Sequence, residues 1–561
     1  MKRSSVLRRA TQGAQVGQGL AAIWSGMGLA QALEHVAALR GDRVAVTLEQ
    51  PLSIEGFEMR RWTYRDMARF VERAAAALMG PGQIRPGDTV ALCMANGFEL
   101  PLLMLAVARC GAVAVPLNHH LRAEEIGFIV GDCGAAAVVV DESVLGDGLS
   151  RWWEQSESGS TRVLVSGRVP QGFEGRCAPL WSSGLVEDTR APMCPVDQDA
   201  VCAIFYTSGT TGFPKGAMLT SRSLLSDQRF LMGLPTLLPT AALMALPMAH
   251  IMGFVCLLFC VLAGVEVVYL ARFNAGAVLD WMASGRVDGF VGVPSMYQLL
   301  SQARAFERDL SGMKVFVSGA DVMPADLIDG FKAAGRLVSL GPVQVPAAFV
   351  EAYGSVELSG AAMVRVSLPW LSAQRGGFVG WPLPGYQVRI ADESDQVIKP
   401  GEIGHLQIRG RGMLKGYMGR EGATRDAITS DGWLRTGDLA SRSRLGVVRF
   451  AGRQKDVIKV GGYSVFPAEV ESALLGHPDV VKAVVVGVED ALKGARPVAV
   501  VCLRGGSDAS GQEIGRWVSQ RVARYKAPRQ VHVWDAARLP YGPTGKVLKR
   551  RVAAVLGGQG D

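Results

Sequence analysis

The nine cysteines of this 561-residue sequence include no CxxC pair. They are scattered, odd in number and set mostly among apolar residues, where a thiol acts as a small hydrophobe. That pattern argues against a disulfide framework and a zinc site, and it predicts a reduced, cytoplasmic protein. Charge is scarce as well: Asp, Glu, Lys and Arg make up 20% of the chain, against 49% hydrophobic residues. With 68 glycines, 27 prolines and no internal repeat, this balance excludes a disordered, collagen-like or coiled-coil protein. The net charge of +8 has no source in the interior. Residues 1–10 contribute +4 and residues 536–561 another +4, so the 525 residues between them sum to zero. Two basic tips make a poor footprint for a polyanion, and no nucleic-acid partner is expected.

Long apolar runs are equally few. The segment 19–33, behind a basic tip, faintly resembles a signal peptide. Its core is short, glycine-broken and without a good cleavage site, so a peripheral tail or extra helix is expected instead. Ala241 to Val265 is 25 residues without Asp, Glu, Lys or Arg, long enough to span a bilayer. Pro247, His250 and Gly253 interrupt it, and a buried strand followed by a helix is the expected reading.

What is present is an alternation of helical and strand patterns at lengths typical of parallel sheets covered on both faces. Helices are expected at Tyr64–Leu78, Leu100–Cys110 and Ala123–Asp132, with strands between them. Residues 141–198 read as surface connection with one short strand at Arg162–Val165. A second α/β stretch runs from Val201 to about Ala362, and short strands with glycine turns fill Gly377–Phe450. The last 110 residues, Gly452 to Asp561, are domain-sized. The expected fold is α/β: two parallel-sheet subdomains and a small β-rich subdomain, then a small mobile α+β domain. The boundaries are 1–30 for a basic tail, 31–452 for the large domain and 453–561 for the C-terminal one, with a hinge at Lys455.

The strongest chemical signal is the run from Tyr206 through Thr207, Ser208, Gly209, Thr210, Thr211, Gly212, Phe213, Pro214 and Lys215 to Gly216. A buried strand ends in hydroxyl donors and two glycines that let backbone N–H groups turn toward a phosphate, and Lys215 adds a charge. The spacing is not that of the P-loop, because Pro214 precedes the lysine and Gly216 follows it.

This loop resembles the signature of the adenylate-forming (AMP-binding) superfamily, which includes acyl-CoA synthetases and coumarate-type ligases. Four further segments match in the same order: Glu351 to Glu357 (EAYGSVE), Trp433 to Asp438 (WLRTGD), Gly452 to Lys459 (GRQKDVIK) and Pro543 to Lys546 (PTGK). The resemblance covers residues 30 to 552. It implies an AMP-forming acid–thiol ligase that uses ATP, Mg2+ and coenzyme A. A carboxylate attacks the α-phosphate to give acyl-adenylate and pyrophosphate, and a thiol then displaces AMP.

By the same resemblance, Glu357 and Thr207 are the expected metal ligands, a hard-oxygen set that suits magnesium. Asp438 takes the ribose hydroxyls as an acceptor-only group, and Arg453 contacts the nucleotide. Gly319 and Ala320 line the adenine and acyl pocket, with Glu351, Ala352, Tyr353 and Gly354 at nucleotide-contacting positions. His250 lies beside the acyl site. Lys546 is the mobile lysine that meets developing charge. Lys459, Gly461, Gly462 and Tyr463 form a channel for a pantetheine arm, and Lys493 and Lys526 sit where CoA phosphates are contacted. One position departs from the pattern: Val356 stands where Thr usually precedes the glutamate. The expected substrate is a fatty or other apolar acid, within lipid metabolism, because the segment around His250 has no carboxylate to pair an ammonium. Two alternatives stand: loading of a carrier protein, and nucleotide binding with degraded catalysis. A homodimer and peripheral membrane contact complete the expected associations.

Overall fold

A computed structural model describes residues 26–558 apart from 55–56, 145–160, 170, 172–174, 176, 182–192, 196, 208–213, 227–237, 341–342, 368–377, 461–462, 491–493 and 542–546. The helix and strand periods of the sequence are realised in order. Thr63 opens the helix Tyr64–Met79 through a capping box: its hydroxyl accepts the Asp66 N–H at 3.1 Å, and the Asp66 carboxylate accepts the Thr63 N–H at 3.0 Å. The helix Glu99–Arg109 is buried at every residue, so it cannot be a surface helix. It packs on the helices Leu29–Arg40 and Tyr64–Met79 and on the strands Thr89–Met94, Val113–Asn118 and Val201–Thr207.

Those strands belong to an eight-stranded sheet. Its order is Gly416–Tyr417, Lys215–Thr220, Val201–Thr207, Val113–Asn118, Thr89–Met94, Ala137–Asp141, Arg162–Ser166 and Ala178–Pro179. From Val201–Thr207 onward the pairs are parallel, and the central strand Thr89–Met94 is buried along its whole length. The short strand expected at Arg162–Val165 in the connection after residue 141 is present as Arg162–Ser166, and with Ala178–Pro179 it closes one edge of this sheet.

A second sheet of thirteen strands has a parallel centre of Glu266–Tyr269, Ala241–Met244, Gly289–Gly292, Val315–Gly319 and Ala348–Ser355. Beyond Ala348–Ser355 it becomes antiparallel, through Gly360–Ser367 and Phe378–Pro382 into Val448–Arg453, Leu434–Arg442, Ile403–Gly410 and Tyr386–Ala391. The β-rich stretch is thus continuous with the second sheet: Phe378–Pro382 pairs the edge that Gly360–Ser367 would otherwise expose.

The apolar run resolves into the strand Ala241–Met244 and the helix Ile251–Ala263, ended by Gly264 in the left-handed region at φ 77°. At thirteen residues the helix is about 20 Å long. Among the described residues no helix is long and apolar enough to cross a membrane. Arg40 reaches its last turn and donates to the carbonyls of Val261 at 2.6 Å and Leu262 at 2.8 Å. A positive charge and two satisfied carbonyls at a helix C-terminus both stabilise it.

The C-terminal stretch builds a five-stranded sheet from Ile458–Val460, Tyr463–Val465, Val480–Asp490, Gly494–Leu503 and Val531–Val533. Its two apolar clusters draw only on residues from Ile458 to Leu556. Burial pushes the thiols of Cys93, Cys110 and Cys133 up to about 12, so they stay protonated and unreactive.

Candidate active site

The strands Val201–Thr207 and Lys215–Thr220 are antiparallel, with Thr207 opposite Lys215, so the loop between them leaves and returns at one point of the sheet edge. Ser208, Gly209, Thr210, Thr211 and Gly212 lie outside the described residues. At the base of the loop, the Thr207 hydroxyl donates to the Lys215 carbonyl at 3.4 Å. The Tyr206 hydroxyl donates to Asp132 at 2.7 Å, and Arg420 holds the same carboxylate at 3.0 Å. Gly216 has a steric reason: a Cβ there would sit 2.8 Å from Ile204 Cγ2 and 2.9 Å from Tyr206 Cζ. The residue after the lysine must be glycine for the hairpin to close.

Lys215 and Glu357 are brought together by a residue that the sequence motifs did not single out. The two-residue strand Gly416–Tyr417 pairs with Ala217 and Met218. The Tyr417 hydroxyl donates to Glu357 Oε1 at 3.0 Å, and the Lys215 ammonium lies 5.5 Å from the centroid of its ring. Burial, then the neighbouring Glu357 charge, push the Tyr417 phenol well above its ordinary value, so it remains a donor. Glu357 occupies the single 3-10 turn Val356–Leu358, and its carbonyl accepts the Leu414 N–H at 2.8 Å. Gly354, just before, has no room for a side chain: a Cβ would lie 1.7 Å from the Gly360 carbonyl oxygen. Among the described residues no three His, Cys, Asp or Glu side chains gather to hold a metal. One carboxylate and one hydroxyl fit magnesium, which usually takes one or two carboxylates and completes its shell with water and phosphate oxygens.

A second cluster surrounds Asp438, whose side chain is only 3% exposed. Tyr353 donates its hydroxyl to one carboxylate oxygen, and Arg453 Nε reaches the other at 2.8 Å. Asp438 and Arg453 are cross-strand partners, and the Asp438 N–H is held by the Thr436 hydroxyl at 3.1 Å. The Arg453 side chain is 44% exposed, so this ion pair can open without disturbing a core.

Gly319 and Ala352 are partners at the ends of adjacent parallel strands. Where Gly319 lacks a side chain, Met252 Cε approaches to 3.2 Å of the Cβ position, which brings the start of the helix Ile251–Ala263 to these strand ends. Ala320 is held in the left-handed region at φ 72°, a strained conformation for a residue with a Cβ. His250 caps this helix N-terminally; its Nε2 is buried with no hydrogen-bond partner among the described residues. Burial lowers its pKa and keeps the imidazole neutral. Glu351 points away from this group: Arg365, its partner on the next strand, lies 3.3 Å from its carboxylate, and burial pushes it up to about 7 against the arginine's pull.

In the C-terminal stretch, Lys546, Gly461, Gly462 and Lys493 lie outside the described residues. Lys459 donates to the Ser464 hydroxyl at 2.8 Å, and the Tyr463 ring packs 5.0 Å from that of Tyr525. Lys526 is gripped by both Glu469 oxygens at 2.7 and 2.8 Å, so its charge is already paired. Lys455 sits in the exposed turn Gln454–Asp456, between the last strand of the second sheet and the first of the five-stranded one.

The sequence matches the family model described as AMP-binding enzyme over residues 33–418, and the AMP-binding enzyme C-terminal domain over residues 469–546. It is 34% identical to a feruloyl-CoA synthase of an Amycolatopsis species over 501 residues, covering 88% of this chain and 94% of that protein. It is 31% identical to the long-chain-fatty-acid–CoA ligase FadD13 of Mycobacterium tuberculosis over 497 residues, covering 87% and 92%. Among solved structures, ATP-bound MatB from Rhodopseudomonas palustris superposes with a TM-score of 0.77 at 26% identity, over 96% of this chain and 99% of that one.

Proposed function

The chain belongs to the AMP-binding enzyme family and is an AMP-forming acid–CoA ligase, and from that premise we propose that its acid is apolar and that its two half-reactions are served by two domains. ATP, Mg2+ and CoA are its co-substrates and cofactor. The carboxylate of the acid attacks the α-phosphate of ATP, the bond to pyrophosphate breaks, and the CoA thiol then displaces AMP from the acyl-adenylate.

In this reading Lys215 and the hydroxyls and amides of the loop from Thr207 to Gly212 hold the phosphates. Glu357 and Thr207 would hold magnesium, which when bound neutralises phosphate charge and withdraws electron density from phosphorus. Asp438 accepts the ribose hydroxyls once Arg453 moves to the nucleotide, and Tyr353 fixes the carboxylate that does so. Lys546 meets the charge that grows on the reacting oxygens. Residues 31–452 form the large domain and 453–561 the mobile one, turning at Lys455 to bring Gly461 and Gly462 to the site for the thiol step.

The observation that carries the substrate class is the helix Ile251–Ala263 beside Gly319 and Ala352. It has no Asp, Glu, Lys or Arg, and His250 at its N-terminal end is kept neutral by burial. An amino acid's ammonium would be left unpaired there, at a large desolvation cost. The relatives' names span feruloyl and long-chain fatty acids. Neither class carries a charge beyond the carboxylate, and we extend only that shared property to this chain. The buried thiols suit a cytoplasmic setting. Pyrophosphate release with a panel of fatty, aryl and amino acids, with and without CoA, tests the proposal. Apolar acids are expected to give pyrophosphate and a CoA thioester. Turnover of amino acids alone would contradict the substrate class, and adenylate without thioester would favour a carrier-protein acceptor.

A further inference from the structure

We infer that Tyr417 is a positioning residue for the adenylation step, setting the Glu357 carboxylate and the Lys215 ammonium in one fixed relation. The inference rests on the reading of Glu357 and Lys215 given above. The segment around Tyr417 is bound to both partners by its backbone. Leu414 donates to the Glu357 carbonyl at 2.8 Å, Lys415 to the Met218 carbonyl at 2.8 Å and Met418 to the Gly216 carbonyl at 2.8 Å. The Tyr417 N–H is in turn held by the Thr424 hydroxyl at 2.9 Å. The ring therefore has little freedom, and its two functional contacts point in different directions: the hydroxyl to Glu357 and the face to Lys215.

A carboxylate has two oxygens with about four acceptor sites. Tyr417 takes one of them on Oε1, which fixes the plane of the group and leaves Oε2 for a cation. A fixed plane matters because a ligand already oriented loses less rotamer freedom on binding. The contact also bears on Val356. The preceding side chain has no hydroxyl to offer near Glu357, and the donor arrives from a strand sixty residues further along the chain. Packing alone would require only an aromatic ring here, and phenylalanine would serve equally well.

The test uses the full-length protein with Tyr417→Phe, Glu357→Gln and the double variant. The probe is a non-hydrolysable ATP analogue, titrated by calorimetry with and without Mg2+. Tyr417→Phe keeps the ring over Lys215 and loses the bond to a charged group, so the Mg2+-loaded analogue is expected to bind about tenfold more weakly. The metal-free analogue and the melting temperature should be unchanged, and the KM for Mg·ATP should rise more than kcat falls. In the Glu357→Gln background the tyrosine substitution should add little. Val356→Thr combined with Tyr417→Phe should recover part of the loss. If Glu357→Gln weakens the Mg2+-loaded complex and Tyr417→Phe does not, the role of Tyr417 is overturned alone. If neither does, the assignment of Glu357 falls and this inference with it. Equal weakening with and without metal would show Tyr417 to be structural, also overturning it.

Discussion

Val356 is packed among apolar neighbours beside Glu357, where, on the proposed assignment of Glu357 to magnesium, a hydroxyl would help to hold a phosphate or the metal. Val356→Thr is expected to raise the adenylation rate at limiting Mg·ATP by no more than about tenfold, since Tyr417 already supplies one donor. A slower enzyme in a stopped-flow pyrophosphate assay would mean that burying the hydroxyl costs more than its new bond returns. A different residue governs acid–base stability. Glu99, buried at the start of its helix, is pushed up to about 7 by burial, with a hydrogen bond from Ser166 opposing the rise and the Asp141 charge adding to it. Its folded-state pKa is above the unfolded one, so the folded state binds the proton more tightly. Stability is therefore fully present below about pH 4.5 and falls as pH rises toward 7, by about 1.4 kcal/mol for each pH step of one between those two values. Glu99→Gln should leave the melting temperature nearly unchanged at pH 4.5 and raise it at pH 8. Parallel melting curves of the two proteins across that range would contradict this.

Among the elements, the helix Ile251–Ala263 links the N-terminal segment to the strand ends proposed to line the acyl pocket, because Arg40 holds its last carbonyls while His250 stands at its first turn. Arg40→Met should orphan the Leu262 carbonyl, whereas Tyr64 still serves Val261 at 2.8 Å. The expected cost is about 1–3 kcal/mol of stability with the KM for ATP unaltered; a normal melting temperature would refute it. The strand and helix of this run were legible in the sequence because Pro247 breaks it between them. Gly253, in the first turn of the helix, lets the preceding chain pack close: a Cβ would fall 2.2 Å from the Pro247 carbonyl oxygen. Other elements were not legible. Gly416–Tyr417 is two residues long with no period to detect, and its partner strand lies two hundred residues earlier. Arg162–Ser166 was readable as a strand, but its place in the first sheet depends on a parallel pairing with Ala137–Asp141 across a long connection. The pairing of Glu351 with Arg365 was hidden for the same reason, since only register on adjacent strands brings them together.

At the scale of the whole molecule, the order of motifs along the chain announced the family, while the distances between them depended on the fold. Lys215, Glu357 and Tyr417 meet at one end of the first sheet, and Asp438 pairs with Arg453 on adjacent strands of the second just before the chain enters the five-stranded unit. Two sets of residues in that last unit are assigned to different steps, Lys546 to adenylation and Gly461–Gly462 to thioester formation. One arrangement cannot easily present both to a single site, which is why rotation at Lys455 is central to the account. The most direct test is a pair of single-turnover assays, acid plus ATP and supplied acyl-adenylate plus CoA, on Lys546→Ala and Gly462→Leu. Lys546→Ala should slow the first by about 10²–10³ and spare the second, as expected for loss of one transition-state donor. Gly462→Leu should spare the first and block the second. Equal slowing of both half-reactions by both substitutions would contradict the alternation of domains.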